Sequence, residues 1–191
     1  YMDDTVDMLG ELPANLVTRI LDTVDNSKRN DINLLLNYPD DSAGSIMTTE
    51  YVALKKDMTV RDAMRHIKDV GIHKETIYTC YVLERRKLIG IVTAKDLMTM
   101  DDDTKIGDIM ETELISVHTH TDQEEAARLF SKYDFLALPV LDADGLMVGI
   151  ITVDDAIDVV VDEATEDMTV MAAVTPSEKS YFDTSVFAHA K

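Results

Sequence analysis

The chain twice reads Gly-x-x-Thr-x-x-Asp, first as Gly90-Ile91-Val92-Thr93-Ala94-Lys95-Asp96 and again as Gly149-Ile150-Ile151-Thr152-Val153-Asp154-Asp155. In each copy the apolar run predicts a buried strand, and the Thr and Asp that follow predict the start of a helix. Upstream, Ile46-Met47 is matched by Ile109-Met110 in the same order. The repetition indicates one supersecondary unit present twice, so the whole fold is interpreted as a duplication.

Other signals follow the same order in both copies. Thr59 with Asp62, and Thr121 with Glu124, have the spacing of a capping box, in which a hydroxyl and a carboxylate satisfy free N–H groups at a helix start. The turn at 142–145 is rich in Asp and Gly, which is typical of a hairpin. Predicted strands cover residues 77–83, 88–92, 137–141 and 147–151, and predicted closing helices begin near Thr93 and Thr152.

This order, strand-helix-strand-strand-helix in each copy, resembles the tandem cystathionine-β-synthase (CBS) domain pair over roughly residues 44–165. The resemblance implies an α+β fold in which two repeats pack through their sheets into one disc-like module. It also implies a regulatory module, often dimeric, that has no catalysis of its own and whose clefts can hold adenosine nucleotides.

The charge of the chain restricts its partners. The 191 residues include 37 Asp and Glu against 18 Lys and Arg, for a formal net charge of −19. Nucleic acid and anionic membrane surfaces are therefore poor partners, whereas cations are good ones. No apolar run is long enough to span a bilayer, and no signal peptide opens the chain. The single cysteine, Cys80, lies in a strand pattern and is interpreted as a small buried hydrophobe in a reducing, cytosolic setting.

The acidic residues concentrate near the carboxyl end. Eleven Asp and Glu residues fall between Lys132 and Lys179, a stretch with no Lys or Arg. On a helix beginning near Thr152 they recur at spacings of three and four, so they line its faces. Two interpretations remain open: a solvated helix face, or a set of repelling carboxylates that a divalent cation draws together.

Motifs in the second copy indicate a more specific family. The stretches Thr121-Asp122-Gln123-Glu124-Glu125, Tyr133-Asp134-Phe135, Thr152-Val153-Asp154-Asp155 and Glu163-Ala164-Thr165-Glu166-Asp167 together resemble the cytosolic part of MgtE-type magnesium transporters. That family has an acidic helical domain before its CBS pair and a connecting helix after it. The resemblance thus predicts that the chain begins inside the helical domain and stops just before the first membrane span.

The resemblance also implies a division of the chain into four parts, with helices over 9–21 and 32–36 in the first part. The parts are a remnant of the helical N domain at 1–37, the first CBS domain at 44–106, the second CBS domain at 107–166, and a connecting helix at 167–191.

From the resemblance follows an expected function. MgtE-type transporters are homodimeric channels at the plasma membrane, and their cytoplasmic domains sense Mg²⁺. Bound ions bridge acidic faces and hold the pore shut, and loss of Mg²⁺ lets the domains separate. The partners implied are a second copy of the chain and its own transmembrane domain. The acidic positions that match the family's Mg²⁺ sites are Asp122, Glu124, Asp134, Asp155, Glu163, Glu166 and Asp167.

The alternative function is that of a free-standing module that senses adenosine nucleotides. In nucleotide-binding CBS pairs, the Thr and Asp of the repeated string contact ribose and phosphate. Thr93 with Asp96 and Thr152 with Asp155 also have the spacing of ordinary capping boxes, so the string alone does not decide. Lys95 favours the first copy, because a phosphate needs a nearby cation. By resemblance, an ATP cleft involves Tyr78, Thr93, Lys95, Asp96, Phe135 and Pro139.

Catalysis finds little support in the sequence. His118 and His120 have a spacing at which two imidazoles can share a zinc ion, but no third ligand lies nearby in sequence. An acidic cluster also suits a metal-dependent phosphatase, yet no Gly-rich loop before a helix offers a phosphate cradle. We therefore expect no enzyme activity.

Overall fold

The computed structural model describes residues 2–10 and 12–171. Short helices come first, and two α/β units of the same element order follow. The helices are α1 (Met2–Gly10), α2 (Ala14–Leu21), α3 (Asn26–Leu35), α4 (Val60–Val70), α5 (Ala94–Thr99), α6 (Ile106–Ile109), α7 (Gln123–Tyr133) and α8 (Val153–Met171), with a 3₁₀ turn at Gly71–His73. The strands are β1 (Ala53–Leu54), β2 (Thr79–Glu84), β3 (Lys87–Thr93), β4 (Val117–His118), β5 (Ala137–Leu141) and β6 (Met147–Thr152).

The two units have the same sheet topology. One sheet has the order β1-β2-β3 and the other β4-β5-β6, and in each the first pair is parallel and the second antiparallel. Both hairpins carry a register shift at the same place, between Val82 and Leu83 in one sheet and between Val140 and Leu141 in the other. The predicted duplication is confirmed down to this irregularity.

Each unit lends a segment to the sheet of the other. Thr48, which precedes the first unit, forms an antiparallel bridge with Ile150 of β6 through N–H···O bonds of 2.8 and 2.9 Å. Glu111, which precedes the second unit, bridges Ile91 of β3 in the same way, with bonds of 3.0 and 2.9 Å. Each sheet therefore gains an outer edge residue from the neighbouring repeat, and the two repeats are interlocked.

The glycines of the repeated string make this exchange sterically possible. A Cβ placed on Gly149 would lie 2.7 Å from Met47 Sδ and 2.8 Å from the Thr48 carbonyl oxygen. A Cβ on Gly90 would lie 2.6 Å from Met110 Sδ. The repeated Gly and the repeated Met thus pack against each other across the two units, and at Gly149 the approach of the Thr48 backbone leaves no room for a side chain.

The amino-terminal helices pack onto the second unit. Val6 and Leu9 of α1 and Ile32 and Leu35 of α3 are buried in one cluster with residues of the second unit, including Leu138. The first unit has a separate core, and a third cluster, around Tyr81, Ala137, Met147 and Ile150, lies where the two sheets meet. The sheet-to-sheet contact is the setting of one candidate site below.

Two local predictions were wrong. The predicted helix over 9–21 is broken, because Pro13 starts α2 with an extended backbone. The predicted N-cap of α7 is displaced by one residue: Asp122 Oδ1 accepts from the N–H groups of Glu124 and Glu125, while the Thr121 hydroxyl accepts from the His118 N–H. Asp caps a helix at least as well as Thr, so the neighbouring carboxylate takes the position.

The last described helix is long and continuous. α8 spans 19 residues and passes through the boundary predicted between residues 166 and 167. Residues 172–191, including most of the predicted connecting helix, lie outside the described residues. Within residues 2–10 and 12–171, no helix combines the length and apolarity that crossing a membrane requires.

Gly149→Ala is expected to lower the free energy of unfolding by about 1–3 kcal/mol, because its Cβ meets a backbone oxygen that cannot rotate away. Urea unfolding followed by circular dichroism measures the change. Gly10→Ala is the matched control, since its Cβ would have no atom within 4 Å. Equal stability of the Gly149→Ala protein and the control would contradict the close packing of the exchanged segment.

Candidate functional site

A cavity of about 270 Å³ lies between the two repeats. Its walls come from β2 and β3 of the first sheet, from the segment before β4, and from the start of β5. Apolar side chains such as Ile91 and Leu138 form much of the lining, and the carboxylates of Glu113 and Asp134 are the charged groups in it. Such a cleft suits a flat, largely apolar ligand whose polar groups are few and oriented.

The predicted nucleotide residues divide into two groups around this cavity. Thr93, Phe135 and Pro139 line it. Tyr78, Lys95 and Asp96 do not, but they lie beside it in sequence and structure: the Tyr78 carbonyl accepts from the Ala94 N–H at 2.9 Å. Lys95 is exposed in the first turn of α5. The six residues therefore form one region, with Lys95 outside the cavity wall.

Thr93 and Asp96 form the capping box that their spacing predicts. The Thr93 hydroxyl accepts from the Asp96 N–H at 3.2 Å, and Asp96 Oδ2 accepts from the Thr93 N–H at 2.9 Å and its hydroxyl at 2.6 Å. The structural role of the string is thus satisfied in the first repeat. Any ligand contact by this pair is additional to the capping of α5.

The second copy of the string has a different environment. The Thr152 hydroxyl lies within hydrogen-bonding distance of both Asp154 Oδ1 and Asp155 Oδ2, and Thr152 is buried. Asp155 is half-buried and also accepts from the Thr152 N–H at 3.3 Å. Two carboxylates surround a single hydroxyl here, whereas the first copy has Lys95 in place of one of them.

The helix that follows is acidic along most of its length, from Asp154 to Asp167. α8 carries seven carboxylates and no Lys or Arg. Glu166 and Asp167, both predicted metal ligands, are exposed on it, and Glu163 is half-buried. The carboxylates of α8 are Asp154, Asp155, Asp158, Asp162, Glu163, Glu166 and Asp167.

The three predicted ligands on and after α7 have separate local roles. Asp122 caps α7 through Oδ1, and Glu124 pairs with Arg128 one turn later. Asp134 ends α7 in the left-handed conformation, with φ 56° and ψ 38°, and its N–H donates to the Phe130 carbonyl at 2.8 Å. Asp134 lines both the cavity between the repeats and the groove between α7 and α8.

One amide joins the acidic elements. Gln123 Nε2 donates to Glu163 Oε1 at 3.2 Å and to Asp41 Oδ1 at 3.3 Å. The Gln123 N–H also donates to the Asp41 carbonyl at 2.9 Å. The loop at Asp41, the start of α7 and the middle of α8 thus meet at Gln123, and a neutral side chain separates the two carboxylates.

The predicted metal ligands are not gathered into one cage. Among residues 2–10 and 12–171, no group of three or more His, Cys, Asp or Glu side chains is placed to hold a metal ion. The donor set nevertheless fits Mg²⁺, which prefers carboxylate oxygens, retains several waters and needs one or two direct protein ligands. His118 Nδ1 lies 3.3 Å from the Asp142 carbonyl and His120 Nδ1 lies 3.0 Å from the Thr119 hydroxyl, so these imidazoles have separate partners.

Cys80 is buried, as expected, and fully enclosed in the core of the first repeat. Burial raises the pKa of its thiol to about 12. The thiolate required for nucleophilic chemistry is therefore scarce at neutral pH.

Sequence reasoning missed three residues that the geometry brings to these sites. Gln123 contacts Glu163 of α8 and also Asp41, and no local spacing signals either contact. Tyr81 lines the cavity on the same side of β2 as Thr79, and the two-residue period of the strand was the signal available for it.

Comparison with known families agrees with the duplication. The chain matches the CBS domain family over residues 43–102 and 106–162, and the MgtE intracellular N domain family over residues 1–41. The predicted α+β tandem CBS fold is confirmed.

Full-length relatives and solved structures point the same way. Magnesium transporter MgtE of Thermus thermophilus is 41% identical over 185 residues, which is 94% of this chain and 41% of that protein. The crystal structure of the soluble part of a magnesium transporter matches with a TM-score of 0.83 and 44% identity, covering 86% of this chain and 64% of that one. The cytosolic domain of the Mg²⁺ channel MgtE in complex with ATP matches with a TM-score of 0.79 and 41% identity, covering 83% and 65%. The chain thus spans less than half the length of the Thermus protein.

Cys80 is expected to resist a thiol reagent such as 5,5′-dithiobis(2-nitrobenzoate) in the native protein across pH 7–9. Because its pKa is raised to about 12, the thiolate fraction stays small throughout that window, and burial blocks access. In about 6 M guanidinium, which unfolds most domains, we expect one thiol to react rapidly. Native reactivity that rises steeply between pH 7 and 9 would show an accessible thiol with an ordinary pKa.

Proposed function

The chain belongs to the CBS domain family, as a tandem pair joined to a segment of the MgtE intracellular N domain, and we propose that it is the Mg²⁺-sensing regulatory region of a magnesium transporter. The observation that carries this proposal is α8, with seven carboxylates and no basic residue in 19 positions. The similarity to MgtE proteins over nearly the whole chain supports it.

The proposal includes an arrangement of parts. Residues 1–37 are assigned to the end of the helical N domain, 44–106 and 107–166 to the two CBS domains, and 167–191 to a helix that leads to a transmembrane domain. The region lies at the cytoplasmic face of the membrane, where it is exposed to the intracellular Mg²⁺ concentration. The extent of the family matches supports these divisions.

Electrostatic repulsion is the proposed source of the signal. Two carboxylates about 4 Å apart repel by roughly 1 kcal/mol in water and by about 4 kcal/mol at an effective dielectric constant near 20. α8 contains no Lys or Arg of its own, so a compact arrangement of acidic elements around it is costly without a bound ion. Mg²⁺ favours the compact form in proportion to its higher affinity for that form.

The residues proposed to hold Mg²⁺ are those that the resemblance indicates: Asp122, Glu124, Asp134, Asp155, Glu163, Glu166 and Asp167. Gln123 marks a place where an ion could bridge two elements, because its amide donates to both Asp41 and Glu163. In the compact state the bound ions keep the transport pore closed, and their release allows it to open.

A homodimer is part of the proposal. The groove between α7 and α8 has a volume of about 430 Å³ and is lined mainly by apolar side chains. Ile157, Val160 and Val161 of α8 are about half exposed there, at 56, 48 and 55%. We assign this surface to contact with a second copy of the chain, which brings two acidic α8 helices into one assembly.

ATP binding is a second function that a specific observation favours. The cavity between the repeats is lined by Thr93, Phe135 and Pro139, and Lys95 is exposed in the first turn of α5, two residues after Thr93. The MgtE cytosolic domain that was solved with ATP is 41% identical to this chain. We propose that the apolar cavity takes the base and that Lys95 pairs with a phosphate, and that the module regulates rather than catalyses.

Mg²⁺ is expected to raise the free energy of unfolding and to make the chain more compact. An ion that binds only the folded form adds about 2.7 kcal/mol at a concentration of a hundred times its Kd. Thermal unfolding, calorimetry and small-angle scattering with and without Mg²⁺ measure these effects. In the double variant Asp122→Asn and Glu166→Gln we expect the Mg²⁺ heat to fall strongly, while Asn at position 122 preserves the cap of α7.

Asp69→Asn is the matched control for this experiment, because Asp69 is an exposed carboxylate on α4 of the first repeat. Its Mg²⁺ response should equal that of the unmodified chain. If the Mg²⁺ response falls equally in the control and the double variant, the effect is general charge screening and not binding at the proposed sites. No saturable Mg²⁺ response at all would refute the sensing proposal.

Lys95→Ala is expected to weaken ATP binding about tenfold and to leave adenosine binding unchanged, because a charge-assisted contact to phosphate is lost. Calorimetric titration of both ligands provides the measurement. Lys55→Ala, a change at another exposed lysine of the first repeat, serves as the control. Equal ATP affinity in the Lys95→Ala and Lys55→Ala proteins would show that Lys95 does not pair with an ATP phosphate.

A further inference from the structure

A second cavity, of about 770 Å³, lies where the amino-terminal helices face the first unit, and we call it the amino-terminal cavity. One wall belongs to α3, through Lys28 and Ile32. The other belongs to the first unit, through Glu50 before β1 and residues 72–74 after α4. Its volume is within the range of about 300–1,000 Å³ that small-molecule sites occupy.

The duplication gives this cavity a counterpart in the cavity between the repeats. Glu50 lines the amino-terminal cavity and Glu113 lines the cavity between the repeats. Each lies two residues after the residue that its segment lends to the other sheet. The helix-to-strand connection beside each cavity differs in length, with eight residues at 71–78 and three at 134–136. The longer connection supplies two basic residues, which the shorter one lacks.

Basic side chains lie on both walls of the amino-terminal cavity. Lys28 of α3 and His73 of the first unit are exposed, and Lys74 is half-buried. None of the three forms an ion pair with any side chain that the structure describes. Glu50 is the carboxylate in the lining, so cationic groups exceed anionic ones here, although acidic residues outnumber basic ones two to one in the whole chain.

The main chain on both walls is held in place without a ligand. The Lys28 N–H donates to Asp25 Oδ1 at 3.0 Å, at the start of α3. On the other wall the Glu75 N–H, next to Lys74, donates to the Glu50 carbonyl at 2.8 Å. The lysine side chains therefore extend from fixed backbone positions, and binding costs only their own rotational freedom.

The charges select the kind of ligand. A lone carboxylate beside several cationic groups is a poor site for Mg²⁺, whereas the oxygens of a phosphate chain accept charge-assisted hydrogen bonds from several cations at once. The net negative charge of the chain repels anions at long range, but salt at about 0.1 M screens exposed charges beyond about 10 Å. The nearby lysines then determine the local affinity.

We propose that the amino-terminal cavity binds a polyphosphate group, which Lys28 and Lys74 hold from opposite walls. The site is separate from the proposed ATP cleft and depends neither on it nor on the Mg²⁺ sites, and neither Thr152 nor Asp155 of the second string lines it. A ligand there joins the amino-terminal helices to the first unit.

The test is calorimetric titration with inorganic tripolyphosphate in Mg²⁺-free buffer at about 0.1 M salt. We expect saturable binding by the unmodified chain, and about tenfold weaker binding in both Lys28→Ala and Lys74→Ala, because each removes one charge-assisted contact. The same titration with ATP distinguishes the source of the group. A part of the ATP heat that depends on Lys74 indicates a nucleoside polyphosphate, and its absence indicates an inorganic one.

Lys68→Ala is the matched control, because Lys68 is an exposed lysine of α4 that does not line this cavity. It should bind tripolyphosphate like the unmodified chain, and so should Lys95→Ala. Affinities in Lys28→Ala and Lys74→Ala equal to that of the control overturn the inference, as does the absence of saturable binding. A loss in Lys95→Ala alone assigns the anion to the ATP cleft and overturns the inference while the proposed ATP site stands.

Discussion

The rest of the structure depends on the reciprocal exchange of edge residues between the two repeats. Thr48 completes the sheet of the second unit and Glu111 completes that of the first, each through a pair of backbone hydrogen bonds. The close approach of Thr48 needs a bare backbone at Gly149, and Gly90 makes room for the Met110 side chain beside the other exchanged segment. Because each sheet is finished by the other repeat, the sheets are held face to face, and this contact produces both the cavity and the core cluster around Tyr81.

Duplication followed by divergence explains how one fold provides two different local environments. Both strings keep the Thr and Asp that start a helix, so the local structure is preserved. The residue before the Asp differs, with Lys95 in one copy and Asp154 in the other. The first copy therefore ends in a short helix with a cation beside a cavity, and the second ends in a long acidic helix. The amino-terminal helices share a buried core with the second unit.

The sequence was informative wherever the physics is local. The strands at 137–141 and 147–151 and the Thr93–Asp96 capping box lie where periodicity and spacing place them. Prediction failed by one residue at Asp122, where two adjacent residues are both good caps; the Thr121 hydroxyl accepts instead from the His118 N–H, and Asp122 takes the cap. It could not find the Asp41–Gln123–Glu163 contact or the packing of Tyr81 where the two sheets meet, because both arise from elements distant in the chain. Resemblance to a family supplied the candidate ligands, and only the folded chain shows which of them also cap helices or pair with neighbours.

The continuity of α8 has a mechanical consequence. A helix of 19 residues is about 28 Å long at roughly 1.5 Å per residue, and it lacks Pro and Gly at which it would bend. It is joined to the sheet at Thr152 and tethered by Gln123 at Glu163, partway along. A rotation of about 10° at its base would displace its far end by about 5 Å for that length. The helix is thus a stiff lever arm that Gln123 holds near its middle, so a small rotation at its base would become a much larger displacement at its carboxyl end.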